Sequence, residues 1–82
     1  MVENMNINDK IQEFLNDDNV PGPQKALLKT FISVNTGQEM TIDFVQANID
    51  KLQNSLATMN RNTRTGVETY ILSRVLSTII SE

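Results

Sequence analysis

Two kinds of side chain in this sequence have the chemistry for catalysis: serines that a lysine can activate, and carboxylates paired at helical spacing. Histidine and cysteine are missing from the 82 residues. With them go the side chain best matched to proton transfer near neutral pH, the commonest nitrogen ligand for metals and the thiolate nucleophile. Ser33, Ser55, Ser73, Ser77 and Ser81 lie on or near helical patterns, and none stands in the glycine-rich elbow that hydrolases use. Asp9 with Glu13, and Asp43 with Asp50, share a helix face at steps of four and seven. Nothing beside them points to the apolar pocket that would separate their pKa values, so they read as solvated surface. Gly22, Gly37 and Gly66 each mark a turn or a helix end and build no phosphate or dinucleotide loop. The expectation is a protein that is not an enzyme and holds no cofactor or metal.

Binding is the chemistry that remains. Residues 1–50 carry three lysines against eight carboxylates, a balance of −5, whereas residues 51–82 carry Lys51, Arg61, Arg64 and Arg74 against Glu68 and Glu82, a balance of +2. Such a dipolar chain can dock on a charged partner or on a second copy, with an ordinary solvated surface as the competing reading. Nucleic acid is a poor candidate. A helix-turn-helix forced onto the second and third helices would have a long turn, Asn35 to Met40. Its groove-reading helix would bring Asp43 and Asp50 toward the phosphates. Arg61, Arg64 and Arg74 also lack a stacking aromatic surface. The candidate partner-binding residues are therefore Arg61, Arg64, Tyr70 and Arg74, and the expected partner is another protein.

Four amphipathic segments must position these residues. Ile7, Ile11, Phe14 and Leu15 form one stripe of a helix over 7–17, with Asn6 or Asn8 as its cap and Asp9 in the favoured first turn. Val20-Pro21-Gly22-Pro23 is a turn that opens a second helix over 23–34, whose broad apolar face is Ala26, Leu27, Leu28, Phe31 and Ile32. Asn35-Thr36-Gly37 stops it, with Gly37 suited to left-handed backbone. Thr41 caps a third helix over 42–59. There Ile42, Val45, Ile49, Leu52, Leu56 and Met59 alternate steps of three and four. That seam is short for a coiled coil, so packing within a bundle is preferred over a dimer interface. Asn60 to Arg64 is a polar connection. Thr65 and Glu68 have the spacing of a capping box opening a fourth helix over 66–81. Its apolar residues, Ile71, Leu72, Val75, Leu76, Ile79 and Ile80, cover nearly half the circumference, which makes it the central helix or an interface.

The fold expected is all-α, a compact bundle of about four short helices with antiparallel neighbours, in one domain over 1–82 with a flexible lead of residues 1–6. So short a chain stabilises itself modestly, and a homo-oligomer or a partner can supply part of what holds it together. No apolar run reaches the roughly 20 residues of a membrane span. The segment Met1 to Asn8 has no basic stretch followed by an apolar run. With no cysteine as well, a cytoplasmic location is expected.

The stretch Val20-Pro21-Gly22-Pro23-Gln24-Lys25-Ala26-Leu27-Leu28, the final segment from Asn60 to Glu82 and the overall length resemble the lysis-inhibition accessory proteins of T-even bacteriophages. The likeness covers most of the chain without a short diagnostic motif, so no functional residue carries over. It implies a cytoplasmic antiholin that binds the cytoplasmic part of the phage holin and, with a periplasmic antiholin, delays lysis. A more local likeness, Val67 followed by Ile71-Leu72-Ser73-Arg74, is to bacteriocin immunity proteins, which are cytoplasmic antiparallel four-helix bundles. Those proteins continue with a further helix after this segment.

Overall fold

The computed structural model describes residues 7–81, which form four helices and no strand: α1 (Ile7–Asn16), α2 (Gly22–Val34), α3 (Ile42–Leu56) and α4 (Arg64–Ser81). The expectations of a flexible lead over residues 1–6 and of an Asn6 cap lie outside the described residues. The chain is an all-α bundle, 42 × 27 × 23 Å along its principal axes.

The fourth helix is the hub. It packs against each of the other three, most extensively against α3, and this explains its wide apolar circumference without an external partner. Val75, Leu76 and Ile79 of α4 meet Ile7 and Ile11 of α1, Leu28 and Phe31 of α2, and Met40, Val45 and Ile49 in one buried cluster. Leu28 is fully buried at its centre. Phe31 and Phe44 stack at a tilt, centroids 6.4 Å apart, and fasten α2 to the start of α3. The one buried polar residue among those described, Ser73, donates its hydroxyl to the Tyr70 carbonyl at 2.8 Å, which removes the penalty of burying it.

Helix ends follow the local chemistry with four departures from expectation. Thr41 caps α3 by accepting from Phe44 N–H at 3.0 Å, and Gly37 has φ of +95°, both as the sequence implied. Asn8 lies inside α1 and does not cap it. Ile42, placed in the seam by its spacing, is 53% exposed because it occupies the first turn of α3; the buried seam starts at Val45. α3 stops at Leu56, short of Met59. Thr58 and Met59 N–H reach back three residues to the Ser55 and Leu56 carbonyls, and the Thr58 hydroxyl donates to Ser55 as well, tightening the chain into a turn. Finally, Thr63 caps α4 in place of Thr65, accepting from Gly66 N–H at 3.0 Å. Thr65 lies within the helix, and the Glu68 carboxylate is turned to Arg64.

Candidate functional site

The turn between α3 and α4 is the piece of local structure that builds the site. Asn60 Oδ1 accepts from Asn62 N–H at 2.9 Å, and the Asn60 carbonyl accepts from the Thr63 hydroxyl at 2.7 Å and from Thr63 N–H at 3.2 Å. This side-chain-assisted turn packs tightly on Gly66, where a Cβ would overlap the Asn60 carbonyl oxygen and come within 2.9 Å of Arg61 Cα. Only glycine lets the turn lie so close to the first turn of α4.

The consequence is the position of Arg61. Its guanidinium carbon sits 5.7 Å from the Tyr70 ring centroid, a cation–π contact that spans from the turn to the second turn of α4. Tyr70 is 42% exposed, so ring and guanidinium form a surface platform. Arg74 follows one turn later on the same exposed flank of α4 and borders, with Tyr70, Phe14 and Gln24, a shallow pocket of about 330 Å³. The structure thus gathers Arg61, Tyr70 and Arg74. Arg64 stands apart: its Nε donates to Glu68 at 3.3 Å, with the arginine 91% exposed, and it lines a different feature.

That feature is an open groove of about 640 Å³ between α2 and the start of α4, whose walls are Pro23, Ala26, Leu27 and Thr30 on one side and Val67 and Ile71 on the other. The ion-paired Arg64 and Glu68 also line it. Of the groove's residues, the sequence singles out Arg64 for partner binding and gives Ala26, Leu27 and Ile71 only as apolar helix faces. Their partnership with Val67 depends on how α2 lies on α4.

No protein family, no curated protein and no solved structure matches this chain. Among the described residues no group of His, Cys, Asp or Glu side chains gathers closely enough to hold a metal ion, and no helix is long and apolar enough to cross a membrane. The arrangement has the chemistry of contact: an aromatic ring held by an arginine, two further arginines and an apolar groove.

Proposed function

We propose that the chain is a non-enzymatic inhibitor that works in the cytoplasm by binding another protein, in the manner of the accessory antiholins it resembles, with the cytoplasmic part of a phage holin as its target. The observation that supports this reading is the Arg61–Tyr70–Arg74 platform on the outer flank of the helix that organises the core. Tyrosine and arginine are the side chains that most often dominate binding energy at protein interfaces, and the cation–π contact restricts both before a partner arrives. Because the platform is mounted on the hub helix and on a hydrogen-bonded turn, it is presented on a stiff support.

Inhibition needs no reaction. A protein that binds a holin more tightly in its non-lethal arrangement than in its pore-forming one shifts the population toward the first. The test is retention of this chain by the soluble cytoplasmic segment of a T-even holin, with an unrelated acidic helical protein as control. Specific retention is expected, and the pair Tyr70→Ala and Arg74→Glu should each weaken it at least about fivefold, the effect of a residue worth more than 1 kcal/mol at an interface. Failure of the wild-type chain to be retained above the control refutes the holin assignment.

A further inference from the structure

Arg64 is held by Glu68 at 3.3 Å, but among the described residues no carboxylate comes within ion-pair distance of Arg61 or Arg74. Two unpaired guanidinium groups therefore adjoin one exposed ring. Arg61 reaches Tyr70 from the turn before α4, and Arg74 stands one turn further along the helix, about 6 Å in rise. Beside them lies the shallow pocket of about 330 Å³ where α1, α2 and α4 meet. Phe14, Ile71 and the buried Val75 supply its apolar wall, Gln24 and Tyr70 add polar atoms, and Arg74 is the one charged residue among the described residues that line it. The volume stands near the bottom of the range of ligand pockets, about 300–1,000 Å³, which suits one or two side chains better than a cofactor.

Charge complementarity points to the occupant. A cation without a counter-ion beside an apolar recess is matched by an apolar group with a carboxylate next to it, and the fixed fork of arginine donors favours a carboxylate over a neutral acceptor. The same argument separates the macromolecules that carry anions. Nucleic acid gains affinity by neutralising several phosphates at once, and two arginines on a chain with eight carboxylates in residues 1–50 offer too few cations for that. A protein segment needs only the one or two carboxylates that this patch can pair.

We infer that the pocket beside Tyr70 seats a short acidic segment of a partner protein, one apolar side chain entering against Phe14 and Val75 while flanking carboxylates pair with Arg74 and Arg61. This rests on the protein-binding reading above and names the chemistry of what is bound. The probe is a fluorescein-labelled peptide with a central leucine and glutamates on both sides, titrated with the full chain by anisotropy. One twin peptide carries glutamines in place of the glutamates, and a second carries alanine in place of the leucine. At low salt the acidic peptide should bind about tenfold more tightly than the glutamine twin, with the gap narrowing as salt rises. It should bind at least about fivefold more tightly than the alanine twin. Arg74→Gln and Arg61→Gln should each weaken binding about threefold to fivefold, toward the upper end of what an exposed ion pair contributes. Lys51→Gln, which removes the same charge from α3, should leave it unchanged. Circular dichroism of the variants separates a lost site from a lost fold.

Equal binding of the acidic and glutamine peptides, no binding of either, or equal losses from Lys51→Gln and Arg74→Gln overturns the inference. So does tighter binding of a single-stranded oligonucleotide than of the acidic peptide, or a self-associated chain that Arg74→Gln converts to monomer, since nucleic acid or a second copy would then be the occupant. Retention by the holin segment without binding of the acidic peptide removes the acidic occupant and leaves the antiholin reading standing; binding of the peptide without holin retention does the reverse.

Discussion

Replacing Gly66 with alanine sets two physical rules against each other, and the structure says which wins. Gly66 is the third residue of α4, and by helix propensity alone Gly→Ala gains about 1 kcal/mol. Here the added Cβ meets backbone, the Asn60 carbonyl oxygen and Arg61 Cα, which cannot swing aside as a side-chain end would. Relief requires the turn to move. That strains the two hydrogen bonds the Asn60 oxygen accepts from Thr63, worth about 1 kcal/mol each, on top of an overpacking cost of about 1–3 kcal/mol. The balance is a net loss of about 1–3 kcal/mol, set against a total of about 4–12 kcal/mol for a chain of this length. Urea unfolding followed by helical ellipticity should show the midpoint falling by about 1–3 M, taking a slope near 1 kcal/mol per M for so small a protein. Gly22→Ala is the internal comparison: nothing lies within 4 Å of its missing Cβ, so it should be neutral or slightly stabilising. Gly66→Ala at or above wild-type stability would refute the close packing of turn on helix, and with it the placement of Arg61 over Tyr70.

The remaining predictions concern the cap and the core. Thr63→Ala should cost about 1 kcal/mol in the same urea assay, while Thr65→Ala, an exposed site inside the helix, should stay within about 0.5 kcal/mol of wild type; the reverse order would restore Thr65 as the cap. Leu28→Ala should cost about 2–5 kcal/mol, a large share of the total of about 4–12 kcal/mol, and a loss below 1 kcal/mol would show that α2 is not anchored in the core.

Periodicity made the existence of all four helices legible, because each presents apolar residues at steps of three and four. Periodicity cannot say where such a stripe stops being buried. Ile42 continues the seam in spacing yet stands in solvent at the start of α3, and Met59 continues it past the point where Thr58 has already turned the chain. The misplaced cap has a similar origin. Thr63 and Thr65 are both good caps, and the glutamate three residues after Thr65 favoured the wrong one; the deciding fact, that Gly66 must accept the Asn60 turn against its face, is tertiary. Of the candidate residues, Arg61, Tyr70 and Arg74 share one surface and Arg64 lines another. No spacing rule relates positions nine apart across a turn, so the contact of Arg61 with Tyr70 was out of reach of the sequence.

The apolar face of α4 poses the question of why a hub helix should also help to line an external groove. Three helices packed around one leave gaps between themselves, and α1, α2 and α3 touch each other far less than each touches α4. The gap beside α2 leaves Val67 and Val34 exposed. Placing three short helices around a longer one thus leaves a seam beside α2 that no other helix of the bundle covers.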